Sequence, residues 1–251
     1  MGEDRSCRGL ENGLQVIAEH EAPFQGVRTY GRRRGRRLRD ARTQLLETLL
    51  PRIALPHPVG GEGIDPWALF PVRPRALWFE IGFGGGEHLA AQARCHPDVG
   101  FIGCEVFLNG VASALAHIET HGLANVRVFA DDARLLLPAL PAACLERVFL
   151  LFPDPWPKRR HAGRRFVAPE NLDHLARLLA AGGELRIASD DMGYIRWTLG
   201  LVPVHPAFRW RVRGPEDWRC PPADWMRTRY EVKARQAGRR PAYLCFERKP
   251  E

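Results

Sequence analysis

Lysine is almost missing from this chain: of its 37 Lys and Arg residues, all but three are arginine. Its positive charge therefore sits on planar guanidinium forks, which pair with phosphate oxygens two at a time, rather than on point-like ammonium groups. Paired cysteines are missing too. The six, at positions 7, 95, 104, 144, 220 and 245, include no C-x-x-C, which argues against a zinc ribbon or a disulfide framework and for a reducing, cytoplasmic compartment. His117 and His121 are spaced H-x-x-x-H but lack the glutamate and third ligand of a catalytic zinc helix, so no metal is expected. His88, His96, His161 and His174 stand apart from them and read as surface or core filling. No apolar run approaches the roughly 20 residues of a membrane helix, so no membrane association is expected. The opening MGEDRSCRGL has no apolar core of a secretory signal, and no long-period repeat is visible.

What is present is a chain of 251 residues, 45% hydrophobic and 26% charged, with a net charge of +8. That length suits one α/β domain with a sizeable core. The charge favours a polyanionic partner such as nucleic acid.

Along the chain, residues 1–28 show neither helical nor strand periodicity and read as a disordered lead. Residues 29–75 comprise the arginine-rich run YGRRRGRRLRD (30–40), an amphipathic helix over 41–50 and a Pro- and Gly-rich connection. The main domain spans 76–251. Strands are predicted at 76–81, 100–106, 126–130, 147–152, 184–188, 208–213 and 242–248, with helices such as 86–93, 109–118 and 194–199 between them. Near-continuous apolar strands alternating with helices predict a parallel sheet covered on both faces.

The first strand runs into EIGFGGG (80–86). Glycines at a strand-to-helix turn let backbone approach a ligand, and ligands of open α/β sheets bind beyond the carboxyl ends of the strands. A dinucleotide fingerprint would need Gly or Ala at position 87, where Glu87 stands. Gly82, Gly84 and Gly86, preceded by Glu80, instead resemble the first motif of the S-adenosylmethionine methyltransferases. Glu105 ends the second strand, where a carboxylate can accept hydrogen bonds from both hydroxyls of a ribose. Asp131 or Asp132 at the end of the third would stand beside the adenine. Asp154 follows the fourth.

The stretch LFPDPWPKRRH (151–161) is more specific. It resembles the signature of the bacterial tRNA (guanine-N7-)-methyltransferases, and so do YGRRRGR (30–36), EIGFGGGEHL (80–89), GCE (103–105), ASD (188–190) and TRYE (228–231). The resemblance covers residues 29 to 248. It implies a Rossmann-like, seven-stranded class I methyltransferase sheet and methylation of N7 of a guanine in the variable loop of tRNA. It also implies that Glu80, Glu105, Asp132 and Asp154 line the S-adenosyl-L-methionine site with the glycines, that Asp154 is the catalytic acid, and that Lys158, Asp190, Thr228, Arg229, Tyr230 and Glu231 face the RNA. Cys104, Ser189, Asp191 and Ala242 depart from the family pattern.

Two other readings compete. One is a non-catalytic RNA-binding protein on a methyltransferase scaffold. The other is a methyltransferase of exocyclic amines, whose D-P-P-Y loop the Asp154 segment superficially matches, although Trp156 and not a proline follows the Asp154-Pro155 pair. Among the basic residues, Lys158, Arg159, Arg160, Arg164 and Arg165 are expected to grip phosphates beside the target base. Arg32, Arg33, Arg34, Arg36 and Arg37 are expected in a flexible arm that orders on RNA, and Trp156 could stack on a base. Each also has a plain reading, as a solvated charged face or as loop packing.

Overall fold

The segment ALWFEI is buried along its whole length, and alternation sends its side chains into two different cores. A computed structural model describes residues 29–58 and 62–250; the predicted lead over 1–28 lies outside them. The sheet and its helices belong to the unit that begins at Gly31. In chain order its elements are α1 (Asp40–Thr48), α2 (Leu50–Ile53), β1 (Ala76–Ile81), α3 (Glu87–Cys95), β2 (Val99–Cys104), α4 (Leu108–Thr120), β3 (Val126–Phe129), α5 (Ala133–Leu136), β4 (Leu145–Leu151), α6 (Pro169–Leu178), β5 (Leu179–Ser189), α7 (Met192–Leu201), β6 (Phe208–Trp210), α8 (Glu216–Arg219), α9 (Arg229–Gln236) and β7 (Ala242–Arg248).

The strands form one seven-stranded sheet in the order β3-β2-β1-β4-β5-β7-β6. On one face Leu77, Phe79 and Ile81 pack with Leu172 and Leu175 of α6 and with Tyr194 and Ile195 of α7. On the other, Trp78 joins Leu45 and Leu46 of α1, Leu89 of α3 and Leu115 of α4. Strands β1 to β5 are parallel, as their unbroken apolar runs predict. β7 departs from that prediction and runs antiparallel to β5 and β6. The chain enters it from α9 at the carboxyl end of β5, where Ser189 faces Ala242, so no crossover helix is needed to bring it back.

The predicted helix over 41–50 is divided into α1 and α2, with Pro51 in the first turn of α2, where a missing N–H costs nothing. Ala54 then bridges to Val128, fixing the connection against the edge strand. Consecutive strands step outward from β1 to β3 and then jump back to β4. The crevice between the loops after β1 and β4 is thus the topological switch point, the place where open α/β sheets bind ligands. Among the described residues no helix is long and apolar enough to cross a membrane.

Candidate active site

The loop after β1 is left-handed at three glycines, with φ of 71° at Gly82, 58° at Gly84 and 79° at Gly86. At Gly82 a Cβ would meet nothing within 4 Å, so the missing side chain leaves room in the crevice; at Gly86 a Cβ would lie 2.4 Å from Ala114 Cβ, so glycine lets α4 approach. Glu105, just past β2, spans this loop. Its Oε2 accepts from Gly84 N at 2.7 Å and its Oε1 from Phe107 N at 2.9 Å. Each oxygen keeps a second lone pair, which is what a ribose with two vicinal hydroxyls requires. Burial raises the pKa of Glu105, the backbone donors pull against that shift, and the charge of Asp154 adds to it.

Glu80 is turned inward. It is buried together with His88, whose Nδ1 lies 2.8 Å from Glu80 Oε2. Side chains on a first helical turn point back toward the helix N-terminus, so His88 reaches the end of β1. Its ring packs edge-on to Phe149 and against Trp225, and Gln92 beside it donates to the carbonyl of Asp224 at 3.3 Å. His88 is thus core, one of the two places expected for it, with the Glu80 carboxylate as its partner. The available signal in the sequence is a histidine on the first turn of the helix that follows the glycine loop, with an acid at the end of the strand before it.

Asp131 and Asp132 both have partners. Asp132 caps α5 by accepting from Arg134 N at 3.0 Å and also holds the Arg134 guanidinium, with Nη2 at 2.6 Å. Asp131 forms an ion pair of 2.8 Å with Arg33. The ion pair gives the arginine-rich arm, expected to be flexible, a partner just past β3. Leu108 N donates to Arg33 O at 2.9 Å, and Asn109 brackets the chain, accepting from Gly35 N at 2.8 Å and donating to Arg36 O at 2.7 Å. The arm lies across the end of β2, close to Glu105, where the sequence offers only charge as a clue.

Asp154 is exposed and has no hydrogen bond or ion pair among the described residues. Its loop is strained on both sides: Phe152 has φ of 51° and Trp156 of 42°, conformations that cost bulky residues about 1–3 kcal/mol each. Phe152 N donates to Ala188 O at 2.7 Å. Arg165 donates from Nε to Pro155 O at 2.9 Å and from Nη2 to Trp156 O at 3.2 Å, with its guanidinium 4.7 Å from the Trp197 ring centroid. Arg164 stands over Trp156 at 5.0 Å. Both arginines, expected near phosphates, here contact the loop itself, where the 3-10 turn Arg159–Arg164 doubles the chain back onto it. Lys158, Arg159 and Arg160 remain exposed.

The remaining predicted residues gather at α9 and β5. Thr228 caps α9 by accepting from Glu231 N at 3.0 Å. The Glu231 carboxylate is buried and takes three donors, Trp225 Nε1 at 2.7 Å, Tyr243 Oη at 2.9 Å and Arg235 Nε at 3.0 Å. Burial tends to raise its pKa, but these donors outweigh that and hold it below the usual range. So anchored, α9 presents Tyr230 over the glycine loop, where a Cβ on Gly84 would lie 3.0 Å from the tyrosine ring. Arg229 lies 3.9 Å from Glu87, and Asp190 is engaged by Arg239.

Comparison with known proteins agrees with this geometry. A family model described as "Putative methyltransferase" matches residues 74–244. A tRNA (guanine-N(7)-)-methyltransferase of Rhodospirillum rubrum is 60% identical over 232 residues, 92% of this chain and 91% of the relative. A protein of the same name from Paramagnetospirillum magneticum is 52% identical, covering 91% of this chain and 95% of its own. Among solved structures, the 16S rRNA methyltransferase KamB superposes with a TM-score of 0.50 at 16% identity over 70% of this chain and 89% of its own, a likeness of fold alone.

Proposed function

The chain belongs to the tRNA (guanine-N(7)-)-methyltransferase family, and from that premise we propose that it methylates N7 of a guanine in the variable loop of tRNA, with Asp154 as the catalytic carboxylate. It is an enzyme, and S-adenosyl-L-methionine is its methyl donor. The residues present fit that cofactor: Glu105 offers two oxygens already oriented by Gly84 N and Phe107 N, and a Cβ on Gly82 of the same loop would meet nothing within 4 Å. Glu80 and Asp132 would complete its surroundings, Glu80 by fixing the wall of the loop through His88. When bound, the cofactor supplies a methyl group activated by a sulfonium.

Guanine N7 carries a lone pair and no proton, so no residue has to act as a base, and alignment supplies much of the rate. Positive charge develops on the purine as it is methylated. A carboxylate fixed beside the ring stabilises that charge. The single observation that carries the reading is the placement of Asp154, on a strained loop at the switch point with no hydrogen bond or ion pair among the described residues. The tRNA backbone would meet Lys158, Arg159, Arg160 and the arm, and the setting is the cytoplasm, where the described cysteines, all free, stay reduced.

The test is to incubate unmodified tRNA with labelled cofactor and then cleave the RNA chemically at N7-methylguanine. Cleavage at one variable-loop guanine is expected. Label incorporated without such cleavage would move the methyl to another atom and overturn the assignment.

A further inference from the structure

We propose that Arg165 is a positioning residue of the transfer: it holds the Asp154 carboxylate in place by clamping the backbone of the loop that carries it. The proposal rests on the role given to Asp154 above. Asp154 has no hydrogen bond or ion pair of its own among the described residues, so its position comes from its backbone. That backbone is poor in handles. Pro153, Pro155 and Pro157 remove three N–H donors, which leaves carbonyls as the main points by which the loop can be tied down. The two carbonyls that come after that of Asp154, those of Pro155 and Trp156, both accept from Arg165.

One planar fork makes both bonds while its face rests on Trp197, and Trp197 is itself fixed by donating from Nε1 to Val167 O at 2.7 Å. The loop is thereby joined to α7, which packs on the sheet through Tyr194 and Ile195. A lysine could supply the charge but not two coplanar bonds and the stacked face. The clamp is needed because Phe152 and Trp156 are left-handed and each precedes a proline, a position that favours extended backbone. Released, the loop would relax toward extended conformations and carry the carboxylate away, and a displacement of about 1 Å can cost on the order of 100-fold in rate.

The experiment compares the full-length chain with Arg165→Ala, Arg165→Lys, Asp154→Ala and the double variant Asp154→Ala/Arg165→Ala, using unmodified tRNA. It measures the single-turnover rate at saturating substrates, the tRNA dissociation constant across salt concentrations and cofactor affinity by calorimetry. Arg165→Ala should slow turnover by roughly 10- to 100-fold with tRNA affinity and its salt slope unchanged, and added guanidinium ion should restore part of the rate. Arg165→Lys, which keeps the charge and makes an independent test should the alanine variant not fold, should also be slow. In the Asp154→Ala background the arginine substitution should do little further harm, as expected of residues acting as a unit.

A lysine variant as fast as the wild type would overturn the proposal. So would a loss confined to tRNA affinity with a salt slope reduced by about 0.7 to 0.9, which would make Arg165 a phosphate ligand. Full additivity in the double variant would show that it acts elsewhere than on Asp154. A normal rate in Asp154→Ala alone would instead remove the reading on which the proposal stands, and the two failures are thus distinguishable.

Discussion

Arg33 and Asp131 form a 2.8 Å ion pair in which the acid is nearly buried and the arginine about half exposed. The pair ties the arginine-rich arm to the end of β3 while Asn109 holds the same arm at the start of α4. The arm thereby combines two roles that its composition does not separate.

Substituting Arg32, Arg34, Arg36 and Arg37, all exposed, with alanine should weaken tRNA binding. It should also reduce the salt slope by roughly 0.7 to 0.9 for each phosphate no longer neutralised, with turnover at saturating tRNA preserved. Arg33→Ala should differ by lowering cofactor affinity as well, because it frees the buried Asp131 and loosens the arm beside Glu105. Calorimetry with the cofactor and tRNA binding over a salt series separate the two. Identical behaviour of both variants would show that the arm only grips RNA.

Asp154→Ala should reduce methyl transfer by roughly 100-fold or more while leaving the affinity for tRNA within a few fold. The acid has no structural partner to lose among the described residues, so the fold should keep its melting temperature. Near-normal single-turnover rates would place the stabilising charge elsewhere.

These expectations draw unequally on the sequence. The alternation of apolar strands and helices is legible there because buried parallel strands have few ways to be written, and the acids at four strand ends mark the crevice directly. The reversal of β7 is not legible, since an apolar run such as AYLCF (242–246) looks the same in either direction. Nor is the inward turn of Arg164 and Arg165: a basic run carries no sign of which members fold back, and only the 3-10 turn decides it. The resemblance places Thr228 to Glu231 at the RNA, whereas Thr228 and Glu231 are engaged in capping and anchoring α9.

Glu105 predicts a pH dependence. Its folded pKa is raised, chiefly by burial, so its protonated form is favoured in the fold: its contribution to stability is present below the unfolded pKa and is lost as pH rises through the folded one. Cofactor binding runs in the opposite sense, because ribose hydroxyls donate to the ionised carboxylate. Affinity should therefore fall as pH drops through the raised pKa, above the ordinary carboxylate range. Glu105→Gln should bind weakly and without that dependence. Calorimetric titrations over mildly acidic pH provide the check, and an unchanged constant in the variant would put the ribose elsewhere.

Glu231→Ala tests whether the end of TRYE is chiefly an anchor. It strips acceptors from the Trp225 indole and the buried Tyr243 hydroxyl, which should cost about 3 kcal/mol in denaturant unfolding. The lowered pKa of Glu231 has the opposite sign to that of Glu105. Its stabilisation is present above the unfolded pKa and lost as pH falls through the folded one, so the wild type should lose this advantage over the variant in acid. Unchanged stability with weaker tRNA binding would favour a direct role at the RNA.

Gly110→Ala isolates the close approach of α4 to the glycine loop. An added Cβ would lie 2.3 Å from Gly84 O and 3.3 Å from Glu105 Cγ; the first clash is with backbone and cannot be relieved by a side-chain rotation. The loop would have to move, yet Gly84 is bonded to Glu105 through its N–H and covered by Tyr230, so any shift disturbs the groups arranged for the ribose. Alanine is otherwise the better helix residue by roughly 1 kcal/mol, a gain that the control Gly200→Ala in α7, where a Cβ would meet nothing within 4 Å, should show. Gly110→Ala should bind cofactor at least about tenfold more weakly, the equivalent of about 1.4 kcal/mol, and remain folded by circular dichroism. If it binds cofactor like the wild type, the glycine loop has slack that the close packing of Gly110 on Gly84 argues against.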